Sequence, residues 1–323
     1  VRLRGVEFGH VFCASGARGF GGEGYWFHRL ARPFGLDYGG STFVAKTTTL
    51  EPRDGNMPLD DEYRPRALLP GCVVVKPVAG VVLNAVGLSG PGLPALIHHW
   101  AAAPPRAPWL LSVMSVAPTA EARVEELRAM VPHINVLRDA LLPGAFGLQL
   151  NLSCPNAGLD TAHLADEGVD ALDVLSALGL PVLVKVNALV GPRVARALSF
   201  HPGCDGVVMG NTVPWGELAT RIDWQALFGD RGIFEGRPVS PLARCGGGGL
   251  SGRPLLPIVT DWIRAARDCG LRKPIVGGGG ILSAADADAV LGAGADAVEL
   301  GSVSLLRPWR VRGIIQHVNR RLQ

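Results

Sequence analysis

The chain is predicted to fold as one (β/α)8 TIM barrel spanning residues 1–323, with an inserted hairpin and lid loops at the C-terminal face of the strands. Three observations predict this. The length of 323 residues suits one α/β barrel, which needs roughly 250 residues plus insertions. Eight short apolar runs lie along the chain, most of them separated by stretches of helical periodicity. That is the alternation of a parallel sheet wrapped by helices. The runs also lack strict polar alternation, as strands buried on both faces do. An open doubly wound sheet is the rival architecture, and the length and number of runs favour closure.

The eight runs are Val11–Ala14, Thr42–Ala45, Trp109–Val113, Gly147–Leu150, Val182–Val186, Gly206–Met209, Pro274–Val276 and Ala297–Leu300. Helical patterns cover Glu121–Ile134, Ala171–Leu178, Pro192–Leu198, Leu255–Cys269 and Ala284–Leu291. Two stretches depart from the repeat. Glu51–Asn84 reads as an insertion ending in a hairpin around Val73–Val82. Pro214–Gly249 is long and irregular, and connections of that length commonly cover a site. Near the end, Arg310, Arg312, Arg320 and Arg321 read as the solvated face of a last helix.

Composition narrows the function. A net charge of +3 is too small to argue for nucleic acid or an anionic membrane surface. No apolar run reaches the ~18 residues of a membrane span, and the start, VRLRGVEFGH, has no apolar signal core. None of the six cysteines is spaced C-x-x-C, so no zinc or iron–sulfur site is expected within the chain. A reducing, cytoplasmic setting fits this cysteine usage.

In a barrel the C-terminal strand ends and the loops after them form the active face, and here those ends carry the polar residues. The fourth run leaves its apolar stretch as NLSCPN, placing Cys154 between Asn151 and Asn156. Carboxamides offer both donors and acceptors to a planar polar ligand, and a thiol on such a loop can serve as base or nucleophile. A lone cysteine there would read as a buried thiol in a capped turn. The seventh run ends in GGGGI before a helix, and the eighth in Gly301 and Ser302. Glycine loops ahead of helix N-termini let backbone N–H groups approach a phosphate, although tight turns alone also account for a bare glycine run. Lys185 interrupts the apolar run VLVKV; a buried ammonium is costly unless paired. It could meet the negative charge of a reduced flavin, or reach water from a frayed strand end. Lys46 ends the run TFVA and should face the same mouth.

Taken together, these motifs resemble those of the dihydroorotate dehydrogenase family, in the family's order and over nearly the whole chain. NLSCPN is similar to the family signature, with Cys154 where the soluble class 1 branch has its cysteine base. Ala14, Ser15 and Gly16 resemble the flavin-contacting end of the first strand. The block beginning Ala45, Lys46, Thr47 resembles the Lys-Ser/Thr segment after the second. NAVGL, with Asn84, Gly87 and Leu88, resembles the substrate loop, and Lys185 the flavin lysine. Asn211 and Thr212 resemble the pair ending the sixth strand. Gly248 and Gly249 in GGLSG, Gly278, Gly279 and Gly280 in GGGGI, and Gly301 and Ser302 resemble the phosphate-side loops.

The resemblance implies FMN as cofactor and oxidation of dihydroorotate to orotate, a step of pyrimidine biosynthesis. Cys154 would be the base at C5, assisted by Lys46 and Asn151. Asn84, Asn151, Asn156, Asn211 and Thr212 would hold the carboxylate and ring amides, and Lys46 would face the substrate's charge. It also implies a homodimer and a separate iron–sulfur flavoprotein subunit passing electrons to NAD, with fumarate as the alternative acceptor. Quinone is not expected, because the chain begins almost directly at its first strand. Three departures stand out: Val213 and Pro214 after Asn211-Thr212, the unusual stretch Trp215–Cys245, and a loop AGLDTAHL without the usual Pro-Gly. They leave open a relative acting on another dihydropyrimidine or cyclic amide. A non-redox phosphate-binding barrel enzyme and a catalytically silent binding barrel are the readings from other classes. Neither would need these lysines, asparagines and Cys154 together.

Overall fold

A computed structural model describes residues 1–152, 164–229, 232–234 and 237–323. Eight parallel strands form its centre: β1 (Val11–Cys13), β2 (Phe43–Val44), β3 (Trp109–Val113), β4 (Phe146–Asn151), β5 (Val182–Val186), β6 (Gly206–Met209), β7 (Ile275–Gly278) and β8 (Ala297–Leu300). Each pairs with its sequence neighbour from β2 to β8, and β8 returns to pair with β1. The seam between β1 and β2 is narrow. It consists of a parallel bridge between Phe12 and Thr42, with Cys13 N donating to Thr42 O and Thr42 N to Val11 O, both at 2.8 Å. The ring is therefore a (β/α)8 barrel, as its eight apolar runs predict. Strand β2 is shorter than Thr42–Ala45 because only Phe43 and Val44 have ladder partners, on β3.

Helices line the outside. Ala120–Ala140 buries Leu127, Met130, Ile134 and Leu137, the spacing of one helical face. The Thr119 side chain caps it by accepting from Ala122 N at 3.2 Å, satisfying a backbone donor left orphaned at a helix start. Helix Leu93–Ala102 has no counterpart in the sequence reading; Pro94 sits in its first turn, where proline is tolerated. Helix Leu164–Ser176 overlaps the expected Ala171–Leu178 but starts earlier, at Leu164, and ends at Ser176. The last helix, Val311–Leu322, exposes Arg312, Arg320 and Arg321.

The inward residues of the strands divide into levels. At the N-terminal end, Phe12, Val44, Leu110, Leu183, Val208, Val276 and Ala297 form an apolar floor. A hairpin of Arg2–Leu3 and Val6–Glu7 plugs it from below with Leu3 and Phe8. Asp205 fastens that plug, accepting from Arg4 Nε and from Val182 N, each at 2.8 Å. Each fully buried aliphatic side chain there stabilises by roughly 1.5–3 kcal/mol.

Over the opposite end lies a four-stranded antiparallel sheet. The expected hairpin supplies Val73–Lys76 and Val81–Asn84, joined by Gly249–Gly252 and then Val213–Pro214. The irregular stretch after β6 packs Trp215 against Trp224 and Phe228, with ring centroids 4.7 and 5.3 Å apart. Lys76 ties this cluster to the hairpin, donating to Leu227 O at 2.7 Å. Among the described residues, no helix is long and apolar enough to cross a membrane.

Candidate functional site

One pleat above the floor, the same strands turn polar. Ser112 on β3, Gln149 on β4, Lys185 on β5 and Glu299 on β8 all point into the barrel and are buried. Lys185 Nζ donates to both oxygens of Glu299, at 2.9 and 2.8 Å. Gln149 Nε2 donates to Glu299 Oε1 at 3.4 Å, and its own carbonyl accepts from Ser112 Oγ at 3.2 Å. The Ser112 hydroxyl pairs with Thr47 Oγ1 at 2.8 Å, and Thr47 Oγ1 with Ser15 Oγ at 2.8 Å. Ser15 also accepts from Thr47 N and donates to Ala45 O. The chain of bonds thus stitches β1 to β2 above the seam where their ladder is sparse. A buried polar network is stable when its members are mutually satisfied.

Above this level a cavity of about 1390 Å³ opens under the antiparallel sheet. Single-ligand pockets run to roughly 300–1,000 Å³, so this one has room for a cofactor and a substrate together. On one side, Asn151 at the end of β4 donates to Thr47 Oγ1 at 3.4 Å and accepts from Asn211 Nδ2 at 3.1 Å. Asn211 Oδ1 accepts from Thr212 N at 2.8 Å. Lys46, buried beside them, donates to Ser89 O and lies 4.8 Å from the Phe20 ring centroid. Asn84, Gly87 and Leu88 line the same cavity from the hairpin and the loop after it. Leu88 adopts φ 60°, a left-handed conformation costly for a branched side chain. The structure therefore gathers Lys46, Asn84, Gly87, Leu88, Asn151, Lys185, Asn211 and Thr212 around one space.

On the other side, Gly279 and Gly280 follow β7 with φ 123° and 79°, and both line the cavity with Gly301 and Ser302. A Cβ on Gly280 would lie 2.7 Å from Leu256 N and 2.9 Å from Gly252 O. The loop is thus pressed against the first turn of helix Leu255–Asp268, whose end bears the positive pole of the helix dipole. This glycine cradle at a helix N-terminus, between the last two strands, fits a phosphate group. Ala14, Ser15 and Gly16 line the adjoining wall. The donor set and the cavity together have the room and the polar partners for a phosphate-bearing cofactor.

Three expected cofactor residues do not line the cavity. Gly249 pairs with Asn84 in the antiparallel sheet, and a Cβ on Gly248 would lie 2.9 Å from Asn84 O. The smallness of Gly248 admits the neighbouring backbone. Gly278 leaves space for the Glu299 side chain, whose Cβ would be 2.9 Å from its own. Cys154 and Asn156 lie outside the described residues. Five other cysteines are free. Burial pushes up the thiols of Cys13, Cys72 and Cys204, the last to about 11, so these three stay protonated at neutral pH. No group of three or more His, Cys, Asp or Glu among the described residues could hold a metal.

Ser112, Gln149 and Glu299 belong to the site without having been expected. The signal was available: each is a polar residue inside an otherwise apolar run, as Lys185 is. Only the register shows that the four converge.

Comparison with known proteins agrees with this geometry. The sequence profile of the family described as dihydroorotate dehydrogenase matches residues 1–322. The catalytic subunit of dihydroorotate dehydrogenase B (NAD(+)) from Geobacillus kaustophilus is 32% identical over 317 residues, covering 96% of this chain and 86% of that protein. Its namesake from Bacillus caldolyticus has the same identity and coverage. The crystal structure of dihydroorotate dehydrogenase from Eimeria tenella in complex with ferulenol aligns with TM-score 0.65. It covers 98% of this chain and 82% of that one at 19% identity, a likeness of fold. A profile match across essentially the whole length, with relatives above 30% identity, places the chain in the dihydroorotate dehydrogenase family of oxidoreductases acting on CH–CH groups.

Proposed function

We propose that the protein binds FMN and oxidises dihydroorotate to orotate. The observation that carries the reading is the gathering of Lys46, Asn84, Asn151, Asn211 and Thr212 around one cavity that also holds Lys185 and the glycine cradle. Carboxamides on several sides match the donors and acceptors of a cyclic imide, and Lys46 supplies the positive charge for its carboxylate. The buried setting strengthens each of these contacts relative to water.

In this reading Cys154 takes the proton from C5 of the substrate onto its sulfur. FMN, when bound, would supply the acceptor for the hydride leaving C6. Ser15, Thr47 and Asn151 orient the cofactor, Lys185 meets the negative charge that reduction creates, and Gly279, Gly280, Gly301 and Ser302 hold the phosphate. The names of the relatives, each a catalytic subunit of an NAD(+) enzyme, support a second, electron-transferring subunit as the route to the final acceptor.

Cys154→Ser tests the assignment of the base. General-base catalysis contributes about 10²–10⁴-fold. The variant should retain FMN and reduce it with dihydroorotate at least about 100-fold more slowly at neutral pH. A free thiol ionises near pH ~8.5, so the wild-type rate should rise with pH toward that value. Unchanged reduction by the serine variant, or loss of FMN from it, would contradict a base at Cys154.

A further inference from the structure

We propose that Glu299 is a positioning residue that sets the effective charge of Lys185 beneath the cofactor. The inference rests on the FMN reading above and adds to it a residue that no motif singles out.

The geometry points to this role in three ways. Lys185 and Glu299 are 4% and 2% exposed, and the ammonium contacts both carboxylate oxygens at 2.8–2.9 Å. Among the described residues, the other side chains bonded in this layer, Ser112, Thr47 and Gln149, are neutral, so the pair balances its charge within that set. Space for the carboxylate is built in: β8 places Glu299 opposite Gly278 of β7, and a side chain on Gly278 would collide with it. Both members of the pair line the cavity.

An ammonium alone in this low-dielectric level would stabilise negative charge on a flavin strongly, because field strength rises as the dielectric falls. A carboxylate in bidentate contact cancels most of that field at a distance and fixes the ammonium's orientation. Glu299 therefore holds the flavin less oxidising than Lys185 alone would make it, and this favours electrons leaving the reduced cofactor for the next acceptor.

The probe is sulfite, titrated against the FMN-loaded protein by visible absorbance. Its sulfur lone pair bonds to flavin N5, and the displaced electron pair leaves the negative charge at the N1–O2 edge. Binding therefore reports how the site stabilises that charge without any turnover. Glu299→Gln should bind sulfite at least about tenfold more tightly and raise the flavin midpoint potential. The exchanged variant Gln149→Glu/Glu299→Gln returns one carboxylate to the layer from the neighbouring position. It should restore sulfite affinity to within about threefold of wild type. Glu299→Gln that holds FMN with unchanged potential and unchanged sulfite affinity overturns the proposal. If that variant fails to fold, the exchanged variant decides. Near wild-type sulfite binding supports charge balance, and a change beyond about tenfold refutes it. A wild-type protein that takes up no FMN defeats the cofactor reading itself, and that result appears before either variant is needed.

Discussion

Leu110, Leu183 and Ala297 belong to the apolar floor, while Ser112, Lys185 and Glu299, two residues further along the same strands, belong to a fully polar level. The strands are shared and the burial is nearly equal, yet the chemistry is opposite. Below, stability comes from hydrocarbon removed from water, sealed by Leu3 and Phe8. Above, polar atoms are kept stable only by partners at hydrogen-bond distance, and their charges face the cavity. Period-two alternation along a strand lets one barrel keep its core and its site one pleat apart. The polar level is also where a misplaced charge is most costly.

Substitutions on the two levels should separate stability from chemistry. The largest stability effect is expected from Leu110→Ala on the floor. Removing a fully buried leucine side chain costs about 2–5 kcal/mol, measurable by denaturant unfolding. The flavin spectrum and the rate of flavin reduction should stay at wild-type values. A matching loss of rate would mean that the floor and the polar level are not independent.

His28 sharpens the contrast between paired and unpaired buried groups. It is 3% exposed, with Nδ1 accepting from Tyr25 N at 3.2 Å and Nε2 making no hydrogen bond among the described residues. Burial lowers its pKa to about 4. Between pH 6.5 and about 4 the unfolded chain binds a proton that the folded one refuses. Stability therefore falls as pH falls through that window, by roughly 3 kcal/mol in all, and this contribution levels off below it. His28→Asn, which keeps an acceptor toward Tyr25, should flatten the melting temperature across the window. An equally acid-sensitive variant would show that another group is responsible.

A smaller effect is expected at the glycine cradle. Gly280→Ala places a methyl against Leu256 N and Gly252 O at a positive φ, so the loop must move. FMN affinity should drop about tenfold, equivalent to ~1.4 kcal/mol, as read by fluorescence titration. Unchanged affinity would put the phosphate elsewhere.

The barrel was readable in the sequence because its strands are predominantly apolar runs. Trp109–Val113, Val182–Val186, Gly206–Met209 and Ala297–Leu300 fall where expected, and Val11–Ala14, Thr42–Ala45 and Gly147–Leu150 do so to within one residue at each end. The asparagines and Lys46 were readable because strand ends are where a barrel places its site. The Glu299–Lys185 pair was not, because one polar residue in an apolar strand is locally uninformative. Its meaning comes from the partner on a strand 114 residues away. The surroundings of Gly248 were hidden for a related reason. A glycine reads alike whether it admits a phosphate or, as Gly248 does, the backbone of Asn84.

The most direct measurement is anaerobic addition of one equivalent of dihydroorotate to the FMN-loaded protein, followed by visible absorbance. The flavin bands should bleach, and orotate should appear in equal amount to the FMN reduced. A flavin spectrum that persists under excess dihydroorotate would contradict the proposed substrate.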